Sequence, residues 1–373
     1  MSIRVLFTAD NHIGISYSSF PKAKKQLLEE RLESINRMVA YANENNINYF
    51  IIGGDLFEKT NLSKKQIKEV ADILKKFTGD QVIIIPGNHD FYETTPDSMW
   101  NVFRQFSNPE KVQVLSDYEV FEQQCGEDTI HFYPACCRSL HSDENMLGWV
   151  KQTQKNNDVI NIGIAHGNVT GLGLDDADRY FNMTKEELDA CHLDLWLLGH
   201  IHVPYPKQEM VTQNPGLFMA GTHMPDSWKN NNYGNAWIID ITTDKKISAQ
   251  RFRPSNICMI DTEKTINHAA DISLLDQYFQ SHAKHETALR MVLKGRLDEV
   301  EKNELENTIA KHENDFITLE VHNYVTRKID LALINQTYPN DSLPYTLLTE
   351  LLDENPEGMA VQQAFEILEA LKK

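Results

Sequence analysis

The 373-residue chain has little of what ties a protein to disulfides or to a bilayer. Its five cysteines, Cys125, Cys136, Cys137, Cys191 and Cys258, are an odd number with no C-x-x-C pair, which argues against a disulfide framework and a thiolate zinc site. They read as reduced thiols of a cytoplasmic protein. Nowhere do about 18 apolar residues run together, and "MSIRVLFTAD" turns polar too early for a signal peptide, so no membrane span and no secretion are expected. Basic charge is scarce too: 36 Lys and Arg against 54 Asp and Glu leave a formal net charge of -18. Phosphate backbones are normally met by clustered Lys and Arg, so this balance counts against a nucleic-acid partner without excluding one. The acidic excess is denser from Asp261 onward, where 21 acidic residues stand against 11 basic ones.

What the chain does have is a series of short apolar runs that each end in polar residues. Five occur in the first 202 residues: "IRVLFTAD", "NYFIIGGD", "QVIIIPGNHD", "NIGIAHGN" and "LDLWLLGHIH". Each reads as a core strand with its polar cluster at the carboxyl end. Between the first two runs, Leu28, Leu32, Ile35, Val39 and Ala42 follow the spacing of an amphipathic helix. Between the second and third, Ser63 is placed to N-cap a helix with Ile67, Val70, Ile73, Leu74 and Phe77 on one face. The order β-α-β-α-β predicts an α/β fold whose ligand crevice lies at the carboxyl ends of the strands. Further strands are expected at "LFMAGTH", "NAWIIDI" and "KISAQRFRP", with a boundary at Pro254-Ser255. We divide the chain into residues 1–254, a small α+β domain over 255–335, and a helical pair over 336–373 broken at Asn355-Pro356-Glu357-Gly358, whose Leu347, Leu348, Leu351, Leu352, Phe365, Ile367 and Leu368 serve either a partner helix or packing on their own domain.

The polar residues at the strand ends are Asp10 and His12, Asp55, Asn88 with His89 and Asp90, His166, and His200 with His202. All offer oxygen or nitrogen and none offers sulfur, a donor set that suits manganese, iron or zinc. There are too many for one ion, but they suit two ions about 3.5–4 Å apart. In D-x-H and H-x-H the side chains at i and i+2 of an extended segment point to the same side, so both can face one metal. Asn88 offers a neutral carbonyl oxygen, His89 can turn toward substrate, and Asp90 can fix the loop or His89 itself. An imidazole is well suited to give a proton to a leaving oxygen near neutral pH.

The order Asp10-x-His12, Gly54-Asp55, Gly87-Asn88-His89-Asp90, His166 and Gly199-His200-Ile201-His202 resembles the five-motif signature of calcineurin-like metallophosphoesterases. The resemblance implies a four-layer α/β/β/α sandwich over the first ~250 residues. It implies that one metal takes Asp10, His12, Asp55 and His202 and the other Asp55, Asn88, His166 and His200, with manganese first and iron, zinc or magnesium as alternatives. It further implies His89 and Asp90 as catalytic residues beside a metal-bridging hydroxide. Within the superfamily, "IIGGDLFEKTNLS" and "LLGHIHVP" look like SbcD-type DNA-repair nucleases, and the branch resembled is the YhaO-like one. That likeness implies DNA as substrate, an SbcC-like coiled-coil ATPase as partner and a homodimer. "MAGTHMPDS" departs from the "PGS"-like turn of SbcD relatives. The same chemistry on another substrate, a cyclic-nucleotide or small-molecule phosphodiesterase or a phosphoprotein phosphatase, is the rival reading. A non-catalytic scaffold for the ATPase is a third.

Single residues outside the motifs carry weaker signals. Phe57, Tyr92 and His223 are candidate substrate contacts, with core or loop packing as the competing reading for each, and Trp100 is treated as Tyr92 is. Lys22, Lys24, Lys25 and Arg31 form a basic cluster that reads more readily as a solvated helix face than as a phosphate site. "GNVTGLGLDD", from Gly167 to Asp176, has no Gly-Lys-Ser/Thr ending, so it reads as a loop bordering the metal site rather than a P-loop.

Overall fold

The computed structural model describes residues 2–172, 180–228, 233–355 and 359–372. The chain divides into two compact units, Met1–Met259 and Ile260–Lys373. In chain order the first unit contains β1 Ser2–Thr8, α1 Lys24–Glu44, β2 Tyr49–Ile52, α2 Lys64–Leu74, β3 Gln81–Ile84, α3 Met99–Phe106, β4 Val112–Val114, β5 Phe121–Cys125, β6 Asp128–Ala135 and α4 Gly148–Gln152. It continues with β7 Ile160–His166, α5 Lys185–Asp189, β8 Leu195–Gly199, β9 Met210–Val211, β10 Leu217–Met219, β11 Ala236–Thr242 and β12 Ile247–Phe252.

These strands form a seven-stranded sheet, β4-β3-β2-β1-β11-β12-β9, and a five-stranded sheet, β10-β8-β7-β6-β5. Because successive side chains of a strand point to opposite faces, each apolar run serves two layers. Ile3, Val5 and Phe7 of β1, with Tyr49 and Ile51 of β2, share one core with Ile130, Ile162, Ile164, Leu195 and Leu197 of the other sheet. Leu6, Phe50, Ile52, Val82 and Ile84 point the other way and pack on α1, α2 and α3. Trp196 and Leu198 on the far side of the second sheet meet Val150 of α4 and Leu188 of α5. Helices, sheet, sheet, helices is the four-layer sandwich expected from the motif order. Strands β1, β2 and β3 run parallel in one sheet and β7 and β8 in the other, which aligns the carboxyl ends within each sheet.

The expected helices are present, with a shift of face in the first. Ser63 caps α2 in a reciprocal capping box with Gln66. In α1 the buried face is Leu27, Arg31, Ser34, Ile35, Met38, Val39 and Ala42, while Leu28 and Leu32 are half-buried.

The second unit contains all but the first two residues of β13 Cys258–Ile266, then α6 Ala269–His282, β14 Thr287–Leu297, α7 Glu299–His312, β15 Thr318–Arg327, α8 Leu331–Thr337, α9 Leu343–Glu354 and α10 Met359–Leu371. The three strands form one sheet, with β14 and β15 parallel. Ile272, Leu275 and Phe279 of α6 and Leu305 of α7 close its core over Leu289, Met291 and Leu293. A separate cluster of Leu333, Ile334, Tyr338, Leu348 and Val361 joins α8, α9 and α10. Leu348 of the tail is thus core, whereas Leu347 and Ile367 stay exposed. Residues 356–358 of the expected helix break lie outside the described residues.

Candidate metal centre

The β1 and β2 loops are joined through their backbones. Asp10 N–H donates to Gly54 O at 3.1 Å, and His12 N–H to Asp55 O at 2.9 Å. This pairing holds the Asp10, His12 and Asp55 side chains at one place. The chain takes unusual shapes to do so: Asp10, His12, Asp55 and His200 have φ of 51°, 45°, 51° and 92°. That is the left-handed region, which residues with a Cβ enter at a cost. Two glycines let the layers close. A Cβ on Gly54, at φ +96°, would lie 2.3 Å from His166 Nδ1, and one on Gly199 would lie 2.2 Å from Gly53 O.

The motif residues converge from both sheets. His12 Nε2 is 3.7 Å and His166 Nε2 is 3.3 Å from Asp55 Oδ2. Asn88 Oδ1 lies 3.0 Å from His166 Nε2 and 3.1 Å from His200 Nδ1. His12 Nε2 and His202 Nε2 are 3.2 Å apart. Donor atoms of three overlapping triads, Asp10/His12/His202, His12/Asp55/His89 and Asp10/Asp55/His166, lie within 4.8 Å of one another. Asp10, Asp55, Asn88 and His166 are buried to within 2%. His89, expected to face substrate, also brings one ring nitrogen into a triad with His12 and Asp55.

The imidazoles are anchored from behind. His166 Nδ1 meets Gly53 O at 2.9 Å, and His202 Nδ1 meets Asp226 Oδ2 at 2.6 Å. His12 Nδ1 lies 2.9 Å from Glu58 Oε2, an ion-pair distance without hydrogen-bond alignment. With Nδ1 carrying the proton against these acceptors, the Nε2 lone pairs point inward. His12 Nε2 and His202 Nε2 then face each other, an arrangement that suits a shared proton or a cation between the two nitrogens. Outer partners that fix the tautomer are characteristic of metal-ligating histidine. The residues present therefore fit divalent cations.

Electrostatics agree. Burial pushes the Asp55 carboxyl up, but His166, His12 and His89 outweigh it and hold it well below the usual carboxylate range. Burial works against charge on His166 and His202, yet Asp55 lifts the first and the Asp226 hydrogen bond the second, each to about 9. His200, desolvated and beside His166, falls to about 3. A cluster that charges its imidazoles to balance its carboxylates is one that calls for positive charge.

Some expected residues sit elsewhere. Asp90 is fully buried, and its carboxylate accepts from Phe57 N–H at 3.0 Å and Gly87 N–H at 2.6 Å. It fixes the loop that carries Asn88 and His89 and touches neither side chain in the hydrogen-bond network. Burial, then Asp55, pushes it to about 8. Phe57 is not at the substrate face: it is fully buried against Trp100 and Phe103, because its backbone is tied to Ile13 and Asp90. Trp100 is equally core. His223 is also withdrawn from the site, with no exposed surface and Nε2 against Arg31 O at 3.0 Å. Tyr92 is half-buried, flanked by the guanidinium groups of Arg104 and Arg138. Arg31 is no surface cation: its guanidinium donates to Tyr17 Oη at 2.8 Å and to Asn11 O. Residues 173–176 of the glycine-bearing loop lie outside the described residues.

Three contributors were missed. Asp226 and Glu58 back the metal-facing histidines, and the ring of Tyr180 lies 5.2 Å from that of His200. Glu58 stands three residues after Asp55, where an acidic side chain following the second motif was a usable signal. Asp226 is 24 residues beyond His202, and nothing local marks it.

A family model for calcineurin-like phosphoesterases matches residues 3–204. The chain belongs to the calcineurin-like phosphoesterase family. A curated relative, the uncharacterized metallophosphoesterase YhaO of Bacillus subtilis (strain 168), is 24% identical over 311 residues, covering 79% of this chain and 72% of its own. Among solved structures, TT1561 of Thermus thermophilus aligns over 68% of this chain and 100% of its own at 12% identity, with a TM-score of 0.40. GAP50, the anchor in the inner membrane complex of Plasmodium, aligns over 68% and 85% at 10% identity, with a TM-score of 0.38. Among the described residues no helix is long and apolar enough to cross a membrane.

Proposed function

We propose that this calcineurin-like phosphoesterase is a two-metal phosphodiesterase acting on DNA, with manganese as its metal. The observation that carries the reading is the double cluster of buried donors around Asp55, with His12 and His202 on one side and Asn88, His166 and His200 on the other. Asp10, His12, Asp55 and His202 would hold one ion, and Asp55, Asn88, His166 and His200 the other. Bound there, the ions supply charge neutralisation at the phosphoryl oxygens and activation of the nucleophile.

The chain's own groups do the rest. Asp90 holds the Asn88–His89 turn through Phe57 N–H and Gly87 N–H. His89 Nδ1–H donates to Glu58 O at 3.1 Å, so the ring gives a proton to the leaving oxygen as an imidazolium, through its Nε2–H. Asp226 and Glu58 keep His202 and His12 turned inward.

The choice of DNA rests on the motif likeness to SbcD-type nucleases and on the presence of a second unit. The exposed Leu347 and Ile367 on the tail helices support a helical partner, read as an SbcC-like coiled-coil ATPase, and a homodimer is the further expectation of the same likeness.

The test is hydrolysis of end-labelled single-stranded and duplex DNA with manganese, beside chelator-treated protein and His89→Ala. Nucleotide release that stops in both controls, while His89→Ala retains bound metal, supports the assignment. Equal loss of metal in His89→Ala removes the proton-donor role. Intact DNA beside a cleaved aryl phosphodiester or cyclic nucleotide moves the substrate to a small diester.

A further inference from the structure

Next to the metal-facing cluster, the first unit has a cleft of about 250 Å³ that the centre does not use. Among the described residues it is lined by His202, Thr222, Tyr233, Glu209, Arg251 and Arg253, among others. Its cations are Arg251 in β12 and Arg253 just beyond the strand's end, both of which reach the same carboxylate.

The two guanidinium groups share one carboxylate. Glu209 Oε1 lies 3.6 Å from Arg251 Nη1 and 3.3 Å from Arg253 Nη2, so the cleft keeps an excess of positive charge in a protein of net charge -18. Arg251 is held rigidly: Nη2 donates to Pro206 O at 2.9 Å, and its guanidinium carbon is 5.4 Å from the Trp237 ring centroid. Its side chain is only 16% exposed, and its buried Nε has no hydrogen-bond partner. Arg253 is 58% exposed and stands 5.1 Å from the centroid of Tyr233, itself 44% exposed.

The planar fork of arginine matches the oxygens of phosphate, and a second arginine with an open aromatic ring beside it fits a nucleotide better than a bare carboxylate. His202 belongs to both the cleft and the metal-facing cluster, which makes the two neighbouring parts of one surface.

We infer that the cleft is a second phosphate subsite, which seats the phosphate next to the scissile diester through Arg251 and Arg253 and stacks the adjoining nucleotide on Tyr233. The inference rests on the phosphodiesterase reading and narrows its substrate to nucleotide strands with at least two phosphates. It also resolves the charge problem, because an acidic protein needs only a local pair of arginines to take a strand end.

The experiment compares thymidine dinucleotide with and without a 5′-phosphate. Binding is read by fluorescence anisotropy in chelator, and hydrolysis by kcat and KM with manganese. The intact protein should favour the 5′-phosphorylated form about tenfold or more, the worth of one charge-assisted hydrogen bond. In Arg253→Ala and Arg251→Lys that preference should fall toward one through KM. Arg253 is largely exposed, so Arg253→Ala is expected to fold normally, which circular dichroism checks. An intact protein that does not distinguish the two dinucleotides, or variants that keep the preference, would overturn the subsite. If the 5′-phosphate preference in binding depends on the arginines but no diester is hydrolysed, the subsite stands and the phosphodiesterase reading falls.

Discussion

Two buried histidine environments, one in each unit, separate structure from chemistry. His312 in the second unit is 3% exposed, and carboxylates take both ring nitrogens: Asp315 Oδ2 at 2.7 Å from Nδ1 and Asp276 Oδ1 at 2.7 Å from Nε2. Nothing is left over, and the ring simply ties the end of α7 to α6. In the first unit His12, His166 and His202 each have Nδ1 against a protein acceptor, while Nε2 faces another donor. Both environments are buried and acidic. The difference is that one is saturated and the other half-anchored, and only the half-anchored one can bind anything further.

The largest test of this contrast is Asp55→Ala, which removes the carboxylate shared by both halves of the centre. Phosphoesterase activity should drop about a thousandfold, the scale of deleting a key charge-stabilising group, and metal content measured by atomic emission should fall with it. Retained metal would mean that Asp55 is not shared. Asp226→Asn is milder, because it loosens the orientation of His202 without deleting a metal-facing donor. A loss of about 10–100-fold in metal affinity or activity is expected, read from titrations of activity against manganese. His312→Leu should do the reverse: lower the urea midpoint of the second unit, because the tie from α7 to Asp276 of α6 is lost, and leave hydrolysis of an aryl diester at the intact rate. A catalytic defect there would blur the distinction.

The test least tied to the centre concerns thiols, which the comparison also sorts by environment. Burial, aided by Asp80 at Cys125, pushes the Cys125 and Cys136 thiols up to about 11 from an ordinary 9.0. A raised thiol pKa means less thiolate at a given pH, so at pH 8 the half-buried Cys125 should react with an aromatic disulfide reagent about a hundredfold more slowly than an ordinary thiol, and the fully buried Cys136 more slowly still. Their rate should climb about tenfold per pH unit until it levels near 11. Levelling near pH 9 would show them to be open to water.

Much of the centre was legible because its residues are tied to strand ends, and strand ends can be read from apolar runs that stop at Gly-Asp, Gly-Asn-His-Asp or Gly-His-x-His. The sandwich followed from the same runs. Less was legible where the pattern is short or mixed: β4 has three residues, and β5 reads "FEQQC", so the segment from 112 to 135 gave no clear strand signal. Arg31 was misread because an arginine in a helix is usually solvated. Its place between Leu27 and Ile35, on the apolar face, held the clue. Phe57 and His223 could not be placed from sequence, since their burial depends on partners distant along the chain: Asp90 for the Phe57 backbone and Arg31 for His223.

The left-handed backbone at Asp10, His12, Asp55 and His200 has a thermodynamic consequence for anyone engineering the protein. Each such residue costs on the order of 1–3 kcal/mol relative to relaxed backbone. The centre is therefore a loaded spring, kept under tension by the packing of two sheets. Glycine at one of these positions, as in Asp10→Gly, relieves its share of that tension, so a screen for heat resistance would tend to enrich variants that have discarded the catalyst. Selection for robustness and selection for turnover pull these four residues in opposite directions.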